Sequence, residues 1–216
     1  MRSFPFTADV YLSLFEAYNS TIWPVQVGAY GLGILALLVT LRPLAAGGRI
    51  AFAVLSAFWL WNAVVYHLLY FFQINFAALG FAVLFAIQGL LFAAFAIGSR
   101  RSFRFQPHVV GWTGVLFCLF ALLAYPLLGW VVGHGLPRAA AFGVAPAPTV
   151  IFTFGMLMLL EGRAPLYLAV IPLLWSLAAG SAAVFLLRMP EDGSLLLAGI
   201  AGFSLLICKR RRQSRS

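Results

Sequence analysis

The chain has 216 residues, is 63% hydrophobic and only 9% charged, and carries a formal net charge of +9. A soluble domain of this length has roughly 25% charged residues, so the apolar excess must face lipid, and no stretch is left for a separate soluble domain. The positive charge sits in short segments between apolar runs and in Lys209-Arg210-Arg211-Arg212, which is the distribution of loops flanking membrane spans; no folded surface remains to present it to nucleic acid.

The first stretch, 7–22, is too polar to span. Thr7 is placed to cap a helix with Asp9 in its first turn, and Val10, Leu14 and Tyr18 recur at helical spacing beside Tyr11 and Phe15. This predicts an amphipathic helix lying in the interface, anchored by Tyr11, Tyr18 and Trp23. Pro24, whose missing donor is harmless in a first turn, opens the first span, 24–41, which stops at Arg42-Pro43. The next apolar runs predict spans over 50–72 and 76–98, joined by Gln73-Ile74-Asn75, then 109–133 with Pro126 inside it. A Gly-, Pro- and Ala-rich segment from His134 to Ala147 follows. It is too apolar for an ordinary exposed loop and reads as a lid or re-entrant piece. A short span over 148–160, a longer one over 167–187 and a last one over 194–208 complete the series, with 209–216 as a basic tail.

The expectation is therefore an all-α, polytopic bundle of seven spans forming one domain, 1–208. An odd number of spans separates the two ends. One side then holds Arg42, Arg49, Arg100, Arg101, Arg104, Arg163, Arg215 and the tail's four cations, eleven of the fourteen basic residues. The other holds Arg2, Arg138, Arg188 and four of the five acids, which predicts an outward N-terminus and an inward C-terminus in a bacterial inner membrane. Cys118 and Cys208 lack the pair spacing of metal or redox motifs and read as buried thiols. The N-terminus lacks the basic-then-apolar layout of a cleaved signal peptide. Small residues at 178–183 and 198–202 predict close packing of the last two spans, and Gly28, Gly31 and Gly33 the same for the first.

His67 lies five residues from the outer end of its span, about 7–8 Å deep. Intramembrane ionisable groups are functional candidates by default. Asn62 and Tyr66 share its helix, Asn75 follows in the outer turn, Gln88 lies in mid-span, and Tyr125, His134 and Thr149 belong to the outer half. Glu16 and Asn19 sit on the interfacial helix. These groups predict an outward-facing polar pocket, taking a small solute or ion, in a permease-like or solute-sensing protein. A second reading is a metal-dependent intramembrane enzyme using His67, His134 and Glu16, whose donors suit zinc although their spacing does not argue for it. A b-type haem between His67 and His134, and an accessory subunit, stand behind these. Each group also has a structural reading: interhelical bonding for His67 and Gln88, solvation for His134 and Glu16. A retinal protein is excluded because the only lysine, Lys209, ends a span; Gly180-Ser181 lacks the surroundings of a rhomboid-type serine; and ceramidase-type hydrolases need more histidines. No Walker loop, dinucleotide fingerprint or CxxC is present.

The order of local motifs resembles that of small bacterial integral membrane proteins grouped as a domain of unknown function. The matching pieces are Tyr18-Asn19, Ile22-Trp23-Pro24, Tyr66-His67, Ile74-Asn75, Gln88-Gly89 and Tyr125-Pro126. His134, Pro137-Arg138, Phe142 through Pro146, Ile171-Pro172 with Trp175, and Gly180-Ser181 complete the set. Members carry a cysteine where this chain has Ala147, so the resemblance implies no thiol role there. Some relatives are labelled permease-like.

Overall fold

The computed structural model describes residues 5–42, 44, 46–189 and 192–213, so Arg2, Pro43, Glu191 and Arg215 lie outside the described residues. The chain is all-helical. Thr7 accepts from the Val10 amide at 3.4 Å and starts α1, Ala8–Thr21. The buried stripe of α1 is Leu12, Phe15 and Tyr18, whereas Val10 is exposed. The expected Val10-Leu14-Tyr18 stripe is therefore rotated by part of a turn. Tyr18 sets this orientation: its hydroxyl donates to Val144 O at 2.7 Å and accepts from Trp61 Nε1 at 2.7 Å.

α2, Val25–Leu41, leaves α1 at 88°. An amphipathic helix perpendicular to an apolar one is the geometry of an interfacial segment leading into a span. There follow α3, Gly47–Gln73; α4, Ala78–Gly98; α5, Val109–Val131; α6, Pro146–Leu159; α7, Leu166–Leu186; and α8, Gly193–Arg212. By length and composition α3, α4, α5, α7 and α8 can each cross a membrane; α2 passes the same test only jointly with α1. Large apolar side chains such as Ile34, Leu90, Leu116 and Leu197 are exposed, as are Trp23, Trp112 and Trp130 near helix ends, where amphipathic indoles favour the interface. The several long apolar helices mark a multi-pass membrane protein.

The expected short span is the helix α6. α6 has 14 residues, about 21 Å of helix against a hydrocarbon core of roughly 30 Å. Thirteen of them are buried, packed among α3, α5, α7 and α8. α6 is a central post hidden from lipid, and both of its ends are finished by other parts of the chain. In the segment before it, expected as a lid or re-entrant piece, Ala139 and Phe142 through Pro146 are buried against the protein. Phe142 stands among Phe58, Phe152 and Tyr30 and fills the space that Gly33 leaves open. Gly143 has φ +76°, a conformation L side chains rarely adopt, and a Cβ there would press on Ala29 and Phe58 at 3.0 Å. Gly28 and Gly31 face open space, so only Gly33 plays the packing part expected of the three.

At the other end of α6, the Phe105 amide donates to Thr40 O at 2.9 Å and the Arg104 amide to Leu159 O at 2.8 Å. Lys209 donates from Nζ to Met158 O at 2.9 Å and also to Leu160 O. A buried helix must have its last carbonyls satisfied, and here an ammonium does it at the negative end of the dipole. α8 accordingly continues through Arg212, past the expected boundary at 208. The small residues of α7 and α8 meet as expected: a Cβ on Gly180 would lie 3.0 Å from Leu196, and one on Gly199 would overlap Ser176.

Candidate functional site

The arginine-rich loops gather at one end of the bundle, and the re-entrant segment enters at the other. Three helices change their winding toward that second end. α3 becomes π-helical over Asn62–Tyr70, α5 over Phe120–Ala124 and α7 over Ala182–Leu186. The five-residue reach is visible in single bonds: the Tyr125 amide donates to Phe120 O, and the Leu187 amide to Ala182 O at 3.1 Å. In α5 the cause is local. Pro126 brings no donor and crowds the preceding turn, and a widened turn absorbs both defects. The wide turns of α3 and α7 have no proline to explain them, and π-turns concentrate at functional sites.

Residues on or beside these turns, together with α1 and the segment after α5, line a cavity of about 350 Å3. That is near the small end of the range for ligand sites. One wall is aromatic, with Phe15, Tyr66, Phe71, Phe81 and Trp175. The α7 surface that follows Trp175 is smooth, with Ala178, Ala179, Ala182 and Ala183. Polar groups are few. Tyr66 and Tyr11 hydroxyls face each other at 3.4 Å, Tyr125 donates to the Asp192 carboxylate, and Asn75, His134 and Arg138 stand at the margins. The expected polar pocket is thus an apolar cavity with a polar fringe.

Of the residues singled out in the sequence, Tyr66, Asn75, Tyr125 and His134 line this cavity. Glu16 and Asn19 hold its lid in place. Glu16 Oε2 meets Arg138 Nε at 2.8 Å, and Asn19 Nδ2 donates to Pro137 O and Ala139 O, both at 2.8 Å. Asn62 and Thr149 lie deeper and anchor the re-entrant backbone: Asn62 Nδ2 reaches Phe58 O at 2.8 Å, Gly143 O at 3.2 Å and Thr149 Oγ1 at 3.3 Å. Gln88 bonds Leu168 O at 3.0 Å and joins α4 to the start of α7. Asn62, Thr149 and Gln88 therefore serve the frame.

His67 is fully buried behind the aromatic wall, ringed by Tyr66, Phe71, Phe81, Phe85 and Trp175. Neither ring nitrogen has a hydrogen-bond partner among the described residues. Glu16 is turned to Arg138 and His134 lies on the cavity margin, so the proposed metal trio does not assemble. Among the described residues no three His, Cys, Asp or Glu side chains gather as a metal group.

A family model described as a family of unknown function, DUF6064, matches residues 8–216. The chain belongs to that family. No curated protein and no solved structure matches it. The matched range in this DUF6064 protein takes in α1, the re-entrant segment and every helix bordering the cavity.

Several residues that build the DUF6064 site gave no signal in the sequence. Ala178 through Ala183 read only as packing residues, yet Ala178, Ala179, Ala182 and Ala183 form a cavity wall. Trp175 read as part of a motif and proves to be both wall and unsatisfied donor. Asp192 borders the cavity through its bond from Tyr125.

Proposed function

We propose that this protein is a multi-pass membrane protein that binds a small, largely apolar solute in the cavity beneath α1, as a sensor or permease-like carrier. The observation that supports this is the convergence of three π-turns on one cavity. Two of these turns have no proline to account for them. Widened turns of that kind cost helix regularity and recur where function needs a displaced side chain. In this reading α6 counts as the seventh crossing, the cavity opens toward the outside and the arginine-rich end lies in the cytoplasm of a bacterial cell. The charge asymmetry between the two ends supports that orientation.

The test is whether something occupies the cavity. Protein purified from native membranes is denatured and the released small molecules are identified by mass spectrometry, against an Ala179→Phe variant that fills the space. A compound present with wild type and absent with the variant is the expected result. Equal recovery from both proteins would defeat the proposal.

A further inference from the structure

Behind the cavity wall stand two hydrogen-bonding groups that nothing in the protein satisfies. His67 has no partner at either ring nitrogen, and Trp175 has none at Nε1, among the described residues. Their rings meet at right angles, nearly edge to face, with centroids 5.1 Å apart and planes at 77°. An unmet polar group in apolar surroundings is a loss to the fold, and native proteins hold few of them. His67 also belongs to the π-helical part of α3. Two local penalties therefore fall at one place, beside the cavity. Tyr66, Phe71, Phe81 and Trp175 each line the cavity and touch His67, so a single layer of rings separates the imidazole from it.

The chemistry of these groups narrows the ligand. An indole N–H only donates, and a neutral imidazole donates through one nitrogen. The ligand must therefore bring an acceptor. Every ring around His67 is uncharged, so a charged group arriving there would find no counter-charge and would lose its hydration. A carbonyl oxygen meets both conditions. The remaining space lies between aromatic faces and the alanine face of α7, which suits a flat apolar ring with a short chain.

We propose that the cavity takes a neutral, flat, lipid-soluble carbonyl compound of the quinone type. Both donors are closed off from the cavity at rest, so one oxygen accepts from Trp175 Nε1 and from His67 once the rings they share turn aside. This rests on the reading of the cavity as a ligand site.

The experiment uses the full chain in lipid nanodiscs. Two probes of similar size are titrated: a benzoquinone with a short alkyl tail, read by tryptophan quenching, and the matching alkylbenzene, read by its displacement of the quinone and by thermal shift. Wild type is expected to bind the quinone saturably, at least about tenfold more tightly than the alkylbenzene. One hydrogen bond of ordinary strength is worth about that factor. His67→Phe and Trp175→Phe keep a ring in place while removing the donor. Each should weaken the quinone about tenfold and leave the alkylbenzene unchanged. His67→Gln, which keeps a donor, should fall between wild type and His67→Phe, and it serves as the test should the phenylalanine variant not fold. Equal binding of both probes, unaltered by the variants, would overturn the carbonyl class while leaving an apolar ligand site standing. Saturable binding of neither probe would overturn this inference, and an empty cavity in the mass-spectrometric test would remove the site itself.

Discussion

Lys209 completes the end of a buried helix. Its ammonium reaches the carbonyls of Met158 and Leu160 at the end of α6. Lys209→Met keeps the length of the side chain and removes the donor, leaving buried acceptors unmet, so we expect a loss of about 1–3 kcal/mol in thermal or denaturant unfolding in detergent. An unchanged melting temperature would show that the carbonyls find another partner. His67 presents the reverse case. Its removal deletes an unsatisfied group, so His67→Phe is expected to leave stability unchanged or to raise it by about 1 kcal/mol, a pattern found where a residue is kept for function at a cost to the fold. A drop of several kcal/mol would make the histidine a structural residue. The sequence marked His67 as unusual because an ionisable group inside an apolar run stands out by type. Lys209 passed as one more tail cation, because its contact with the end of the short helix is visible only in three dimensions.

Among the elements, the re-entrant segment and α2 form a matched pair. Phe142 occupies the space that Gly33 leaves, in a contact too close for any larger residue. Gly33→Val should therefore expel the ring and loosen the segment that roofs the cavity, destabilising by about 2–3 kcal/mol through overpacking. Phe142→Ala alone should cost about 3–5 kcal/mol through the void it leaves. The two should be strongly non-additive in a double-mutant cycle, because the valine fills part of that void. Additivity would mean the two side chains do not share a space. The composition of this segment, apolar yet rich in Gly and Pro, announced burial before any coordinates. The pairing with Gly33 was hidden, since Gly28, Gly31 and Gly33 look alike in sequence and only one meets a ring. The crossing of α5 and α6 was equally silent: a Cβ on Gly155 would lie 2.7 Å from Gly114 O, but Gly155 is the one glycine of α6 and nothing in the sequence pairs it with Gly114. Small residues announce close packing when they cluster, as at 178–183, and give little away singly.

At the scale of the molecule, the two ends differ in kind. One is a cluster of arginines relieved among the described residues by Glu161, which meets Arg104 at 3.9 Å and accepts from Ser102. The other is a cavity bordered by α1, which lies at 88° to α2 and is fastened to the segment after α5 by the Glu16–Arg138 pair and by Asn19. That pair is partly exposed and adds little stability by itself. The positive-inside rule reads this asymmetry as orientation, and orientation can be measured. With Cys118 and Cys208 replaced by alanine, a single cysteine at Asn75 and, in a second protein, one at Arg163 are exposed to a membrane-impermeant thiol reagent on intact cells. Labelling at Asn75 and none at Arg163 is the expected outcome, reversing in inside-out vesicles. Labelling of both from one side would show that the chain does not cross as an alternating bundle, and that α6 returns to the face it came from. That outcome would place the cavity and the arginines in one compartment and would remove the reason for calling the cavity outward-facing. The charge asymmetry was legible because charges must lie outside lipid wherever they fall in the chain. The shape of the cavity was not, since it arises where three helices widen, and two of those π-turns have no proline to announce them.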